Sequence, residues 1–309
     1  MLDKNSKIFV AGHNGMVGSA IIRALKDNNY KNIYTISKNK LNLTNQKDTY
    51  NFLKKIKPDC VIVAAAKVGG IVANNNFKGD FILENLLIQN NLIIGSFENK
   101  INNLIFLGSS CAYPKKTKIP IKEEYLLSGP LEPTNEPYAV AKISGIKLCE
   151  SISKQYKKNY FTIMPTNLYG PNDNYDLKTS HVLPALIKKV HLAKIRKQKF
   201  VKLLGTGKAK RDYLYVDDFA QACFLIMKNK KNHSIINVGS QSEISILNLT
   251  KLVMKVLDYE VKITFDKIYS DGTLRKMLDT TIIRKLGWKP ITLLKTGIEK
   301  TYKDFLLRI

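Results

Sequence analysis

A glycine-rich turn between an apolar run and an amphipathic run restricts the fold of this chain more than any other feature. Residues 7–11 are mainly apolar, Gly12, Gly15 and Gly18 follow, and residues 19–26 repeat apolar side chains at helical spacing. A strand, a glycine turn and a helix in this order direct free backbone N–H groups and the positive end of the helix dipole at the turn. The segment predicts a site where the backbone approaches the pyrophosphate of a dinucleotide. A purely structural glycine turn is the alternative.

Strand-like and helix-like patterns alternate through the first half of the chain. Helical periodicity covers residues 81–97 and resumes at Tyr138, and a flexible loop is expected at residues 67–71. Further buried strands are expected at residues 32–37, 60–66, 103–107 and 161–165. The alternation predicts an α/β fold with a Rossmann-type, doubly wound parallel sheet and a site at the carboxyl ends of its strands.

The pattern becomes irregular after residue 171. Helices are expected near residues 181–194 and 245–257, short strands at 202–204, 212–216 and 261–265, and two short helical patterns within 280–309. We therefore predict a dinucleotide-binding domain at residues 1–171 and a second, smaller mixed α/β domain for the substrate at 172–309. The apolar run at residues 235–238 favours a later return of the chain to the first sheet, within about 211–240.

The charge of the chain is strongly basic. Its 50 lysines and arginines against 25 acidic residues give a net charge of +25. Such a balance favours nucleic acid as a partner. The basic residues are scattered and no short nucleic-acid motif accompanies them, so we expect no nucleic-acid partner and only an attraction for anionic nucleotides.

The cysteines and the apolar runs indicate in which cellular compartment the protein is expected. Cys60, Cys111, Cys149 and Cys223 lack metal-ligand spacing, so we expect no metal and reduced thiols in the cytoplasm. The amino terminus reaches a polar loop by Gly12, which argues against a signal peptide. No apolar run is long enough to span a bilayer, so no membrane partner is expected.

Tyr138 and Lys142 stand one helical turn apart and share a face of the expected helix. A lysine ammonium beside a phenol favours the phenolate and is expected to lower its pKa. Ser109 or Ser110, from the loop after the strand at residues 103–107, can hold a substrate oxygen against the phenol. This apparatus passes a proton to a carbonyl oxygen while a hydride arrives at carbon. Such a tyrosine–lysine pair is weak evidence by itself, and the glycine turn expected to bind a dinucleotide strengthens the interpretation.

The end of the second expected strand indicates which dinucleotide binds. A carboxylate there would bind the ribose hydroxyls of NAD, and the chain instead has Ser37 and Lys38. A cation at this position suits the additional phosphate of NADP, so NADP(H) is the expected cofactor. The alternative is that Lys38 is a solvated lysine in a lysine-rich chain.

Two runs, residues 64–75 and 131–139, carry a resemblance to a known family. They belong to a set of matching stretches at 11–20, 64–75, 107–114, 131–150, 164–171, 180–185, 211–218 and 271–279. On these stretches the chain resembles the GDP-L-fucose synthase family of extended short-chain dehydrogenases/reductases. The resemblance implies NADPH-dependent epimerisation at ring carbons three and five, and reduction at carbon four, of GDP-4-keto-6-deoxymannose. It also implies a homodimer.

The resemblance implies a role for individual residues. Ser109, Tyr138 and Lys142 would carry out the reduction, and Cys111 and His181 would be the acid/base pair of the epimerisation. The cofactor-binding set expected from the glycine turn, Lys38 and the resemblance is Gly12, His13, Asn14, Gly15, Met16, Val17, Gly18, Lys38, Leu107, Gly108, Ser109, Ser110, Lys142, Pro165, Thr166, Asn167, Leu168 and His181. The expected substrate-binding set is Lys189, Leu204, Arg211 and Asp271.

Three departures from the family pattern leave alternatives open. Asn14 stands where Arg is frequent and weakens the expected hold on the NADP phosphate, while Lys189 replaces a common Arg and Leu204 a common aromatic residue. One alternative is a 4-reductase of a related GDP-4-keto sugar, such as a heptose, without epimerisation. A second is an NDP-sugar epimerase or dehydratase that retains NAD. A third, of another class, is a nucleic-acid-binding protein on a Rossmann fold.

Overall fold

A parallel sheet of six strands lies at the centre of the chain, which the computed structural model describes at residues 2–229, 234–266, 268 and 271–309. The strands of the described residues are β1 (Ile8–Ala11), β2 (Ile33–Tyr34), β3 (Cys60–Val63), β4 (Asn103–Leu107), β5 (Asn159–Pro165), β6 (Asn167–Tyr169), β7 (Phe200–Leu204), β8 (Lys210–Tyr215), β9 (Ile235–Val238), β10 (Glu243–Ser245), β11 (Lys262–Asp266) and β12 (Arg275–Lys276). The central sheet has the order β2-β1-β3-β4-β5-β9. Strand β9 pairs with β5, so the return predicted at residues 235–238 is confirmed.

Helices cover both faces of this sheet. The helices of the described residues are α1 (Met16–Asp27), α2 (Gln46–Ile56), α3 (Ile71–Asn76), α4 (Lys78–Glu98), α5 (Glu136–Tyr156), α6 (Val182–Ile195), α7 (Val216–Lys228), α8 (Ile246–Leu257), α9 (Thr281–Lys285) and α10 (Leu294–Leu306). One apolar cluster joins α1 and α7 to one face, with Ile21 and Phe219 at its centre. A second joins α4 and α5 to the other face through Leu92 and Ile146. The predicted Rossmann-type, doubly wound α/β architecture is confirmed.

The carboxyl-terminal part of the chain forms smaller mixed sheets. Strand β8 pairs in parallel with β6 and β12 and antiparallel with β10, while β7 and β11 form a separate parallel pair. Helices α6, α8 and α10 pack on these strands around a third apolar cluster that includes Ile187, Val253 and Phe305. A smaller mixed α/β region was expected here and is confirmed, and its boundary with the first domain at residue 171 stays a prediction.

Several predicted elements differ from those observed. Strand β2 is two residues long instead of residues 32–37, because it pairs only with β1 at the edge of the sheet and Thr35 is already exposed. Strand β3 ends at Val63 instead of residue 66, and α3 begins at Ile71, where a loop was expected. Helix α4 starts three residues earlier than predicted.

Helix α2 was not predicted at all. Its sequence is mostly polar and it buries only Thr49 and Leu53, so it contains few apolar residues to indicate it. Its start is nevertheless encoded locally, because the Asn45 side chain accepts a hydrogen bond from the Asp48 N–H at 3.1 Å. None of the helices in the described part of the chain has the length and hydrophobicity that crossing a bilayer requires.

Candidate active site

The loops that follow β1 and β3 meet where the strand order of the central sheet reverses, which is the usual ligand crevice of such a sheet. Gly12 has a φ of +85°, and a Cβ on it would lie 2.6 Å from the Ala65 nitrogen. A Cβ on Gly18 would overlap the Gly12 carbonyl oxygen. Gly15, by contrast, has room for a side chain, since the nearest atom to its Cβ position is 3.5 Å away.

This turn fits the diphosphate of a dinucleotide. Gly15 occupies the N-cap of α1 without a side-chain cap, so the first N–H groups of the helix stay available to an anion. Asn14 and Lys38 are both exposed and follow the paired strands β1 and β2. The segment from Thr35 to Lys40 contains no carboxylate that would repel an additional phosphate.

A short 3-10 turn, Ser110–Ala112, begins three residues after the end of β4; it contains the predicted catalytic residue Cys111, and the predicted catalytic residue Ser109 is its N-cap. Gly108 permits this turn to pack on β5, because a Cβ there would overlap the sulfur of Met164. Ser109 caps the turn, and its Oγ accepts a hydrogen bond from the Cys111 N–H at 3.2 Å. The hydroxyl of Ser109 and the thiol of Cys111 are therefore held in a fixed relation to each other.

Helix α5 brings Tyr138 and Lys142 to the same end of the sheet. The buried Lys142 Nζ donates a hydrogen bond to the Leu107 carbonyl oxygen at 2.9 Å and lies 5.8 Å from the centre of the Tyr138 ring. Burial lowers the pKa of Lys142 to about 8. The lysine thus ties α5 to the end of β4, where Ser109 and Cys111 follow.

The expectation that Lys142 lowers the pKa of Tyr138 is wrong for this structure. Burial raises the pKa of Tyr138, the nearby Cys111 raises it further, and a hydrogen bond with Ser109 opposes both effects. The phenolate loses more hydration in this cleft than its neighbours restore. The tyrosine is consequently a protonated phenol near neutral pH, which is the form that can donate a proton.

His181 reaches the crevice from the other part of the chain. It occupies the N-cap of α6, and the segment before it is bound to the loop after β3, because the Gly70 N–H donates to the Thr179 carbonyl oxygen at 2.9 Å. A Cβ on Gly70 would overlap the Ser180 carbonyl oxygen, so this approach requires glycine. His181 is solvent-accessible and yet burial lowers its pKa, which is characteristic of a side chain within an open cleft.

Arg211 and Asp271 line the cleft from β8 and the segment before β12. The Arg211 Nη2 donates to the Asp271 carbonyl oxygen at 3.3 Å, and the Asp271 carboxylate accepts from the Thr206 N–H at 2.7 Å. Burial lowers the pKa of Arg211, while Tyr213 and then Cys111 raise it. The guanidinium is therefore close enough to the Ser110–Ala112 turn for electrostatic interaction with the Cys111 thiol.

Lys189, on α6, contacts strand β7, which ends at Leu204. Lys189 Nζ donates to the Lys202 carbonyl oxygen at 3.0 Å, and Leu204 ends the strand with 44% of its surface exposed. Of the predicted substrate-binding set, Arg211 and Leu204 lie on strands β8 and β7, and Asp271 joins them, because it contacts both Arg211 and Thr206, two residues after Leu204.

A family model described as the NAD dependent epimerase/dehydratase family matches residues 8–239. The chain belongs to this family. A GDP-L-fucose synthase from Sinorhizobium fredii (strain NBRC 101917 / NGR234) is 48% identical over 303 residues, which cover 98% of this chain and 96% of that protein.

Solved structures of other proteins superimpose over almost the full chain. A GDP-6-OMe-4-keto-L-xylo-heptose reductase from C. jejuni has a TM-score of 0.93 at 32% identity, covering 100% of this chain and 99% of that one. A GDP-L-fucose synthetase from Naegleria fowleri, bound to NADP, has a TM-score of 0.90 at 27% identity, covering 100% and 95%.

In this member of the epimerase/dehydratase family, two residues without a predicted role contact the Ser110–Ala112 turn. Lys276 is buried opposite Arg211 in the β12–β8 pair, and its Nζ donates to the Ser110 carbonyl oxygen at 3.3 Å. Asn135 donates from Nδ2 to the Cys111 sulfur at 3.3 Å. Lys276 lies 166 residues from its partner, so no local pattern could have indicated it. Asn135 lies within the run at 131–139 that carried the resemblance, which gave it no role.

Proposed function

We propose that this chain converts GDP-4-keto-6-deoxymannose to GDP-L-fucose with NADPH, by epimerisation at ring carbons three and five and reduction at carbon four. The observation that carries the proposal is the grouping of Ser109, Cys111 and Tyr138 around one turn at the end of β4. The match to a relative named GDP-L-fucose synthase, at 48% identity over nearly the full chain, supports the same reaction.

The reduction uses the phenol of Tyr138. When bound at the glycine turn, NADPH supplies the hydride. Tyr138 gives its proton to the oxygen on carbon four, and burial favours this protonated form. Ser109 holds that oxygen against the phenol. Lys142 keeps α5 attached to the end of β4 and holds its ammonium group 5.8 Å from the centre of the Tyr138 ring.

The epimerisation follows from the carbonyl at carbon four, which acidifies the hydrogens on carbons three and five. One group removes a proton and another returns a proton to the opposite face of the ring, so two groups on different sides are required. Cys111 and His181 come from different parts of the chain and suit this requirement. The lowered pKa of His181 keeps its imidazole mainly neutral near pH 7, in which form one ring nitrogen accepts a proton and the other donates.

The nucleotide part of the substrate is assigned to the predicted substrate-binding set. Arg211 offers a planar fork that can bind two diphosphate oxygens. Asp271 fixes Arg211 through its carbonyl oxygen. Lys189, which contacts β7, and the exposed Leu204 are assigned to the nucleoside end.

The reaction is tested by incubating the enzyme with GDP-4-keto-6-deoxymannose and NADPH and identifying the product by NMR. GDP-L-fucose is the expected product. A second candidate, a 4-reductase of a GDP-4-keto heptose without epimerisation, is favoured by the TM-score of 0.93 to the heptose reductase. Faster turnover of a heptose substrate, with unchanged configuration at carbons three and five, would replace our proposal by this one.

The cofactor preference is expected to depend on Lys38. NADPH should have a higher kcat/KM than NADH, and Lys38→Ala should reduce that ratio by about two- to fivefold, because an exposed ion pair contributes little. Lys40→Ala is the matched control, since Lys40 is also exposed in the same segment. A wild-type preference for NADH, or equal effects of the two substitutions, would remove Lys38 from the phosphate site.

We further propose that the enzyme is a homodimer formed by α4 and α5. Leu83 and Leu87 are exposed one turn apart on α4, and Val140 is exposed on α5, which packs beside α4. Ser144 extends this face without charge. On a chain with a net charge of +25, a mainly apolar face, on which Lys147 is paired with Glu150, is where two copies repel each other least.

Leu87→Glu is expected to convert the dimer to a monomer, because pairing by two-fold symmetry would bury both introduced carboxylates. The mass in solution, measured by light scattering after size-exclusion chromatography, gives the result. Leu306→Glu on α10 is the control, since Leu306 is 44% exposed and Leu87 is 38% exposed. A monomeric wild type would contradict the proposal.

All four cysteines lie within the described residues and are free thiols, which supports a cytoplasmic enzyme.

A further inference from the structure

The contact between Asn135 and Cys111 joins the helix of the reduction to the turn of the epimerisation. Asn135 directly precedes α5, which carries Tyr138 and Lys142, and its Nδ2 donates to the Cys111 sulfur at 3.3 Å. The two residues are 24 positions apart, so the contact arises from tertiary packing.

The side chain of Asn135 does not perform the task usual for its position. Asn is among the preferred N-cap residues because its oxygen accepts from the free N–H groups of the first helical turn. Asn135 occupies the N-cap of α5 and makes no such side-chain hydrogen bond. Its Oδ1 is shielded from solvent and has no hydrogen-bond partner within the described residues. The Asn135 side chain thus does not cap the helix. Its amide nitrogen instead donates a hydrogen bond to the Cys111 sulfur.

We propose that Asn135 is the positioning residue of Cys111 and holds its sulfur, through an N–H donor, in the orientation and charge state that proton exchange with the sugar requires. An N–H group that donates to sulfur leaves the S–H proton free to leave. The same hydrogen bond strengthens once the sulfur carries a negative charge. This inference rests on the proposed function, in which Cys111 exchanges protons with the ring.

The surroundings of Cys111 support a donor of this kind. The Cys111 N–H donates to the Ser109 Oγ, so this backbone group is not available to donate to the sulfur. Tyr138 from α5 and Arg211 from β8 are the other titratable groups whose pKa values Cys111 affects. Among these neighbours, Asn135 supplies the hydrogen bond to the sulfur itself.

Asn135→Ser separates a positioning role from a structural one. Serine is as good an N-cap as asparagine, so α5 should keep its stability, while the shorter side chain cannot reach the sulfur. We expect solvent deuterium exchange into the keto-sugar to slow roughly ten- to hundredfold, the usual effect of losing one hydrogen bond to a charged group. Reduction of an already epimerised substrate should stay within about threefold of wild type, since Tyr138 does not need the thiol.

A substrate-free measurement makes the inference independent of the sugar. Cys60, Cys149 and Cys223 are fully buried, so iodoacetamide reacts with the native enzyme at Cys111. The pH at which alkylation reaches half its maximal rate should rise by about one unit in Asn135→Ser, because the thiolate loses its donor. Asn135→Asp keeps the shape of the side chain and removes the donor, so it should shift the midpoint at least as far. It serves in place of the serine variant if that variant does not fold.

The outcomes distinguish the inference from the proposed function. An unchanged alkylation midpoint in both variants overturns the role of Asn135, whatever the enzyme does with the sugar. Equal losses of exchange and reduction with an unchanged midpoint also overturn it, because they indicate a structural residue. A shifted midpoint in an enzyme whose wild type exchanges no deuterium supports the contact and refutes the epimerase activity.

Discussion

Tyr138→Phe is expected to reduce turnover of the keto-sugar by roughly 10²- to 10⁴-fold, the usual contribution of a general acid. The substitution removes the phenolic proton and keeps the ring. The edge-to-face contact with Phe81, at 6.4 Å between ring centres, is therefore retained. The Lys142 hydrogen bond to Leu107 is also independent of the phenol oxygen, so NADPH affinity should change little. Single-turnover oxidation of NADPH and fluorescence titration of NADPH measure the two quantities.

Tyr156→Phe is the matched control for this experiment. It removes a phenolic oxygen from the far end of the same helix, where Tyr156 is 48% exposed. Its turnover should equal that of the wild type. NADPH oxidation by Tyr138→Phe at the wild-type rate would show that another group donates the proton.

Cys111→Ser is expected to slow the exchange of solvent deuterium into carbons three and five by roughly 10²- to 10⁴-fold. The wild type should take up deuterium at both carbons in deuterated water without NADPH, because the exchange needs no hydride. A hydroxyl is a far weaker acid than a thiol and cannot replace it in proton exchange near neutral pH. The Cys111 N–H would still donate to Ser109, so the turn should keep its shape. Proton NMR of the recovered sugar gives the extent of exchange at each carbon.

Tyr138→Phe and Cys111→Ser serve as controls for each other, because each should lose one activity and keep the other. Tyr138→Phe should still exchange deuterium, and Cys111→Ser should still reduce a substrate that is already epimerised. His181→Asn is less informative, since His181 is also expected to line the cofactor site. A wild type that reduces its keto-sugar without deuterium at either carbon would be a 4-reductase alone. Lys189 and Leu204 would then be the first positions to examine for a different sugar.

The strands that sequence patterns predicted best lie within the central sheet and are almost completely buried. Strands β4 and β9 begin and end where expected, because short runs of mainly apolar residues are typical of the strands of the central sheet in an α/β chain. Helix α2 has little apolar surface to bury and was missed, although its Asn45 cap is encoded locally. Strand β2 was predicted too long, because pairing at a sheet edge depends on a neighbour that a local pattern does not contain.

The candidate site, like the fold, was predictable from the sequence only in part. The glycine turn and the Tyr138–Lys142 pair have local spacings that carry physical meaning, so residues alone indicated them. Cys111 and His181 have ordinary structural alternatives and were indicated only by the resemblance, and their roles stay predictions. The direction of the Tyr138 pKa was predicted wrongly, because the burial that determines it comes from residues distant in the chain. Asn135 was not assigned a role for the same reason.

The contact between Gly70, in the loop after β3, and the segment before α6 has a consequence for which substitutions these two walls of the cleft tolerate. Its hydrogen bond joins the backbone N–H of Gly70 to the backbone oxygen of Thr179, and its steric limit is set by the Ser180 carbonyl. Mutational tolerance is therefore unequal on the two sides. Side chains at residues 179 and 180 can drift without breaking the link, whereas any Cβ at residue 70 separates the walls. A library randomised at all three codons and selected for turnover should return glycine at one of them and a broad spectrum at the other two.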